Sequence, residues 1–267
     1  MVLVLIVLVA VIVGMLGSML GIGGGLLIVP LLTLVLDVPV RTAIGTSLVC
    51  VVVTSSASQI VYAGRHITHP RLGMALEVTT TIGALAGALT ALVVDRRAIF
   101  LSFTAVLLYL AWSMGREPAD RAAAAGGGVL PARFVDPGSG EEHEYRVHNL
   151  PAGVAIGVLA GVVSGLLGVG GGVIKVPLMS QLMNVPLKAA IATSNLMIGV
   201  TAATGALLFF SRGYVEPRFA VPTAIGVVVG AQLGSRLAGR VPVAVLRRMF
   251  QVLALVLAVQ MAWKGLS

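Results

Sequence analysis

Long apolar segments separated by short polar turns occupy most of this chain. The apolar segments are 2–36, 42–62, 72–94, 98–114, 151–183, 189–210, 219–237 and 245–263. A helix that spans a bilayer needs roughly 20 mostly apolar residues. Backbone groups in lipid must bond within the protein, and these segments lack the strict alternation of a barrel strand. The pattern therefore predicts membrane-spanning helices.

The second half of the chain repeats the first at a displacement of 147 positions. Glycine, proline and hydroxyl residues stay in register: Gly21 with Gly168, Val29-Pro30-Leu31 with Val176-Pro177-Leu178, Val38-Pro39 with Val185-Pro186, and Thr46-Ser47 with Thr193-Ser194. Shared apolar composition does not produce such a register, so the sequence indicates an internal duplication. Secondary transporters are commonly built from such repeats, with the substrate at the repeat interface.

Each repeat is predicted to contain one glycine-broken segment and three full spans. At 1.5 Å per residue, segment 2–36 is too long for one upright span and long enough for two short passes. A re-entrant hairpin there gives each repeat an odd number of crossings, which favours inverted repeats over parallel ones. The predicted fold class is an all-α integral membrane protein, with membrane repeats at 1–115 and 150–267 and a solvated linker at 116–149.

The linker is acidic and rich in turn residues, and within it 133–135 and 145–147 are suited to pair as a short hairpin. Inverted repeats divide the basic residues between two faces. One face would hold Arg65, Arg71, Lys188, Arg236, Arg240, Arg247 and Arg248, and the other Arg41, Arg96, Arg97, Arg212, Arg218 and Lys264. The first face, which includes the linker, is the more positive and is therefore predicted to be cytoplasmic.

Composition agrees with a lipid surrounding. Hydrophobic residues make up 58% of the chain and charged residues 10%, against about 25% charged in soluble domains. The net charge of +8 does not indicate a nucleic-acid partner, because basic residues lie singly or in pairs at the ends of apolar segments. The bilayer is the expected partner, in the inner or plasma membrane of the cell, and an oligomer is left open.

The glycine breaks are the strongest local signal. Each glycine costs a helix about 1 kcal/mol relative to alanine, and the backbone groups it frees are tolerated at membrane depth only inside protein or beside water. The helix that follows each break begins with unpaired N–H groups and a positive dipole end, which suits an anion. The predicted anion site contains Gly23, Gly24, Gly25, Gly170, Gly171 and Gly172. The alternative is close helix packing through small residues.

Two charged residues fall inside apolar segments. A lysine as deep as Lys175 usually faces a partner or a pathway. We predict that it is a counter-charge for the anion; the alternative is that it snorkels to an interface or pairs with a carboxylate. Glu77 is the candidate for proton coupling, and the alternatives are a partner for Lys175 or a carboxylate near a helix end.

Polar side chains early in the next helix of each repeat are further candidates. Hydroxyl and amide groups there would donate to sulfonate or carboxylate oxygens, or would bond the preceding turn. These residues are Thr46, Ser47, Thr193, Ser194 and Asn195. No clustered acid, base, nucleophile or metal ligands stand out, so neither an enzyme nor a metal or cofactor site is predicted.

The two motifs resemble those of the TauE/SafE sulfite exporter family, also called the toluene sulfonate uptake permease family. They are Gly-Ile-Gly-Gly-Gly-Leu-Leu-Ile-Val-Pro at 21–30 and Gly-Val-Gly-Gly-Gly-Val-Ile-Lys-Val-Pro at 168–177, followed by Ala-Ile-Gly-Thr-Ser and Ala-Ile-Ala-Thr-Ser. The resemblance covers 14–114 and 151–264, and it implies a bundle of roughly eight helices that transports sulfite, sulfonates such as sulfoacetate, or related organic anions. The motif glycines, Thr46, Ser47, Thr193 and Ser194 inherit an expectation of substrate contact, whereas Lys175 and Asn195 rest on charge and position alone.

The predicted function is that of a secondary transporter of a small sulfur-containing anion. A proton gradient, a sodium gradient or the gradient of the substrate itself would drive it, since no nucleotide-binding segment is present. The alternatives are a passive anion channel and a carrier of a non-sulfur carboxylate. The sequence leaves the direction of transport open.

Overall fold

The computed structural model describes residues 2–65, 67–115, 128–135, 142–238 and 242–266. Most of the linker, together with His66 and Arg240, lies outside these ranges. In the first half the elements are α1 (Val2–Leu20), α2 (Gly25–Pro30), a π-helical segment (Leu31–Val35), α3 (Val40–Ala63), α4 (Pro70–Val93) and α5 (Arg96–Gly115).

The second half follows the same order. Its elements are α6 (Leu150–Leu167), α7 (Gly172–Pro177), a second π-helical segment (Leu178–Leu182), α8 (Leu187–Ser211), α9 (Pro217–Leu237) and α10 (Val243–Leu266). Between the halves lie the strands β1 (Val129–Val135) and β2 (Glu142–Val147), which pair antiparallel as a hairpin. The predicted pairing of 133–135 with 145–147 is wrong, because 133–135 pair with 142–144.

Five of the described helices are long and apolar enough to cross a membrane: α3, α4, α6, α8 and α9. Four of these are spans that the sequence predicts. The other two predicted spans, α5 and α10, are not among the five, and they pack against each other. The protein is therefore a mainly helical membrane protein.

Each short helix after a glycine break ends at a proline and widens into a π-helical segment. Pro30 and Pro177 lack the N–H that an α-helix needs, which removes one bond of the ladder and accounts for the change in winding. Asp37 and Asn184 then adopt left-handed backbone angles, with φ of 49° and 59°. Aspartate and asparagine tolerate this region better than most residues, so they suit the turn into α3 and α8.

Glycines bring two pairs of helices into backbone contact. A Cβ atom added at Gly230 would lie 2.0 Å from the carbonyl oxygen of Val11, and one added at Gly161 would lie 2.0 Å from that of Thr80. Successive glycines of α9 meet successive turns of α1 in the same order, so these two helices run parallel. The contacts between α6 and α4 advance in the same way.

Helices α3 and α8, and likewise α5 and α10, match in the repeated sequence and run in opposite directions. Gly45, near the start of α3, lies against Phe209, near the end of α8, and Ser55 in the later part of α3 bonds to Asn195 in the earlier part of α8. Gly265 at the end of α10 likewise lies against Phe100 at the start of α5. Both pairs are antiparallel.

The close glycine contacts predict a measurable cost of added volume. Gly161→Ala and Gly230→Ala should each destabilise the protein by about 1–3 kcal/mol, because the new methyl group meets backbone that cannot move aside. Gly64→Ala is the matched control, since a Cβ atom there would lie an ordinary 3.6 Å from its nearest neighbour. Thermal unfolding in detergent compares the three, and equal stability of all three would contradict this packing.

Candidate functional site

The two glycine breaks meet midway along α3 and α8. Gly23 and Gly170 have φ of 78° and 76°, which only glycine adopts readily. A Cβ atom at either position would lie within 3.1 Å of both Val51 and Ile198. These two residues correspond in the repeats and lie near the middle of α3 and α8. The breaks therefore come together at the centre of the molecule. We call the meeting place of residues 21–25 and 168–172 the crossing.

Two serines link the breaks reciprocally. Ser47 donates to the carbonyl oxygen of Gly168 at 2.8 Å, and Ser194 donates to that of Gly21 at 2.8 Å. Both serines are fully buried, and each binds the break of the other repeat. The two hydroxyl hydrogens that the sequence offered to a substrate are thus used to satisfy carbonyl groups that the breaks leave without helical partners.

Three other predicted polar residues lie on either side of this crossing. Thr193 accepts a hydrogen bond from the backbone N–H of His69 at 2.9 Å. The amide of Asn195 donates to the carbonyl oxygens of Ser18 at 3.3 Å and Ile191 at 3.1 Å. Within the described part of the chain, Thr46 Oγ1 and Asn195 Oδ1 are buried and make no hydrogen bond. Such groups are costly, and they are suited to bind a polar ligand.

Lys175 forms a buried ion pair with Glu77. The lysine side chain is 1% exposed and its Nζ lies 3.5 Å from Glu77 Oε2. The hydroxyl of Thr201 joins the two, because it accepts from Lys175 Nζ at 2.6 Å and donates to Glu77 Oε1 at 2.6 Å. Thr80 and Thr81 also donate to the carboxylate, at 3.0 and 3.2 Å. The structure therefore places Glu77 as the partner of Lys175.

This charged cluster adjoins only the second break. The Cε atom of Lys175 lies 3.4 Å from the position of a Cβ atom on Gly171, and the Cβ atom of Ser164 lies 3.3 Å from it. Ser164 Oγ is buried and, in the described structure, makes no hydrogen bond. The ion pair thus lies beside the second break, next to the crossing.

Sequence reasoning missed Thr80, Thr81, Thr201 and Ser164. A signal was present when the repeats are compared: the first repeat has Ile28 at the position of Lys175, and the second repeat has Ala224 and Val227 at the positions of Glu77 and Thr80. Each of these three positions is therefore polar in one repeat and apolar in the other, with the lysine in the second repeat and Glu77 and Thr80 in the first. Comparing the repeats position by position would have found Thr80 beside the two charges.

The β-hairpin covers the end of the bundle where α4 begins. Tyr145 and Val147 are buried there, and the ring of Tyr145 meets that of His69 edge-on with 5.9 Å between centroids. Burial lowers the pKa of His69 below its usual value, and its Nδ1 accepts a hydrogen bond from the N–H of Leu72. The imidazole is therefore neutral at neutral pH, and this half of the linker is packed onto the membrane region.

Comparison with known proteins agrees with this architecture. The sequence model described as "Sulfite exporter TauE/SafE" matches residues 6–261. The chain is 27% identical over 271 residues to the probable membrane transporter protein YunE of Bacillus subtilis, covering 98% of both chains. It is 28% identical over 252 residues to a probable membrane transporter protein of Methanocaldococcus jannaschii, covering 87% of this chain and 85% of that one.

The relatives are described as transporters rather than enzymes. No solved structure is significantly similar to the chain. Because the family match spans nearly the whole sequence, from the first helix to the last, the chain belongs to the TauE/SafE sulfite exporter family.

Proposed function

We propose that the protein is a secondary transporter of small sulfur-containing anions in the cell membrane, and that the anion binds beside the crossing of the glycine breaks. The observation that supports this most strongly is the buried Lys175 next to the second break. A buried ammonium group in a membrane segment is costly unless it is paired, and such residues usually mark a pathway. The family description, which names sulfite exporters, supports the choice of substrate.

The directions of the helices support inverted repeats. The corresponding helices α3 and α8 run antiparallel. Two copies of one unit have this relation when a two-fold axis perpendicular to the helices exchanges them. The distribution of charge agrees, because Arg65 bonds to the carbonyls of Ser235 and Arg236 at one end, while Arg41, Arg96 and Lys264 share a cavity at the other. Inverted repeats provide alternating access when one repeat moves against the other around a fixed site.

The contacts also support a re-entrant first segment. Val7 in α1 lies against Gly226 in the first half of α9, and Gly24 folds back against Val13. After the π-helical segment, Asp37 bonds to Lys264 at the same end of the bundle where α3 begins. We infer that α1 and α2 enter and leave the membrane at one face, with the glycine break at their deepest point.

The ion pair provides a route for coupling. An anion near the second break competes with Glu77 for Lys175, because one ammonium group cannot neutralise both negative charges. Protonation of Glu77 removes the competing charge and leaves Lys175 to the anion. Proton binding at Glu77 and anion binding at Lys175 would therefore favour each other, as in proton–anion symport. The hydroxyl of Thr201, which touches both groups, is placed to follow the change of partner.

The packing at the crossing favours a carrier over a passive channel. Val51 and Ile198 lie against both breaks at the centre of the bundle. Their side chains therefore fill the space that an open pore through the crossing would need. A carrier would open this contact from one side at a time. Trans-stimulated exchange of labelled substrate separates the two alternatives, because a channel does not show it.

Lys175→Met should abolish saturable uptake of labelled sulfite and sulfoacetate into proteoliposomes. It should also destabilise the protein by about 3–5 kcal/mol, because it leaves the largely buried Glu77 charge without its partner. The double variant Lys175→Met with Glu77→Gln should regain stability without regaining transport. A double variant that transports at the normal rate would contradict the role of Lys175 in binding the anion. Thr54→Val serves as the control, because Thr54 is the residue of the first repeat that corresponds to Thr201.

Glu77→Gln should separate transport from the proton gradient. Because glutamine resembles a permanently protonated carboxyl group, exchange of labelled for unlabelled sulfoacetate should continue while accumulation driven by a pH gradient is lost. Counterflow and gradient-driven uptake are measured on the same vesicles. Accumulation that still follows the pH gradient in this variant would contradict the coupling role of Glu77.

A further inference from the structure

A cavity of about 560 Å³ lies at the end of the bundle opposite the β-hairpin. It is bounded by the turn before α3, the turn between α4 and α5, the turn before α9, and the end of α10. Its charged lining consists of Asp37, Arg41, Asp95, Arg96 and Lys264. The volume is within the range of about 300–1,000 Å³ that is typical of small-molecule sites.

The cavity lining has an excess of positive charge, and the guanidinium groups that provide it are held in place by contacts with the protein. Arg41 donates through Nε to the carbonyl oxygen of Ala91 at 3.2 Å and through Nη2 to that of Val94 at 3.1 Å. These acceptors are uncharged carbonyls at the end of α4, so they fix the guanidinium without neutralising it. Arg96 lies over the ring of Phe100, with 5.3 Å from its Cζ atom to the centroid.

One of the two carboxylates is already engaged. Lys264 Nζ lies 2.9 Å from Asp37 Oδ1 and also donates to the carbonyl oxygen of Thr33. The hydrogen bond and charge of Lys264, with a contribution from Arg96, hold the pKa of Asp37 below its usual range. Asp37 therefore stays ionised at neutral pH and is paired with Lys264. The remaining charges of the lining are the two positive arginines and the one negative Asp95, so the cavity keeps a net positive charge.

The inner wall of the cavity is apolar. Val38, Ile99 and Phe100 line it and are themselves buried. Guanidinium groups match the planar oxygens of carboxylates, and they bind sulfonates through the same donors. A ligand that uses both parts of the lining has an anionic head and a short apolar body. A bare inorganic oxyanion would use the head contacts alone.

The second repeat keeps one of these charges, Lys188 at the position of Arg41, and lacks three others. At the positions of Asp37, Asp95 and Arg96 it has Asn184, Pro242 and Val243. The cavity is therefore not one half of a duplicated site but a feature of one face. The first π-helical segment and α2 connect it to the crossing, since Thr33 lines the cavity and Gly25 lies at the break.

We propose that this cavity is a second anion-binding site, distinct from the crossing, that binds small organic sulfonates or carboxylates before or after they occupy the central site. Arg96 and Arg41 bind the head group and the apolar wall holds the body. The role on the pathway rests on the proposed transport function, whereas binding itself does not. The site would make the protein favour organic anions over bare sulfite at low concentration.

The test compares Arg96→Gln with Arg97→Gln in proteoliposomes of neutral lipid. The two arginines are adjacent and exposed, and only Arg96 lines the cavity. Arg96→Gln should raise the KM for sulfoacetate about tenfold, as expected for loss of a charge-assisted contact, with kcat changed less than about twofold. The KM for sulfite should rise less, and Arg97→Gln should match the unaltered protein in both.

An unchanged KM in Arg96→Gln, or an equal rise in Arg97→Gln, would overturn the proposal, since the second result indicates general attraction to a basic face. A rise that appears only in liposomes of anionic lipid would also overturn it, by assigning the cavity to a lipid head group. Equilibrium binding of sulfoacetate to the double variant Lys175→Met with Glu77→Gln, which is expected to keep its stability, separates this proposal from the transport function when measured in neutral-lipid nanodiscs. Binding that persists there and is lost with added Arg96→Gln supports the cavity site even if no transport is found, and absence of that binding refutes the site.

Discussion

The reciprocal serine–carbonyl bonds at the crossing are the contact on which the rest of the arrangement depends. Glycine breaks put free carbonyl groups at the centre of a membrane protein, where each would cost free energy unless bonded. Ser47 and Ser194 satisfy one carbonyl each, and in doing so they join the two repeats. Gly25 and Gly172 must lack side chains for the same reason, because a Cβ atom there would lie 2.4 and 2.1 Å from those carbonyl oxygens.

The repeated sequence predicts a symmetric arrangement, and the charged groups proposed to bind the anion are the residues that depart from it. The crossing is nearly the same when the halves are exchanged. The ion pair of Lys175 and Glu77 belongs to one side only, as does the cavity with Arg41 and Arg96 at one end. A symmetric frame can alternate between two equivalent shapes, while a charge present once lets a bound proton and a bound anion affect each other. The hairpin that covers His69 has no counterpart among the described residues at the opposite end.

Much of this fold could be predicted because hydrophobicity and glycine act locally. The six spans predicted outside the broken segments match the helices within three residues at each end, and the family follows from the doubled motif. The partners of the site residues could not be predicted in the same way. Ser47 bonds to a residue 121 positions away, and Lys175 to one 98 positions away. The sequence shows that these side chains are polar and buried, but only the packing shows whether they face a ligand or one another.

The central claim is that the anion and Glu77 compete for Lys175, so that anion binding is accompanied by proton uptake. The most direct measurement is the number of protons taken up per sulfoacetate bound, obtained by titration calorimetry in buffers of different ionisation enthalpy. The account predicts net proton uptake on binding, and much smaller uptake for Glu77→Gln, with anion binding retained. Binding of sulfoacetate to the unaltered protein without proton uptake at any pH would contradict it.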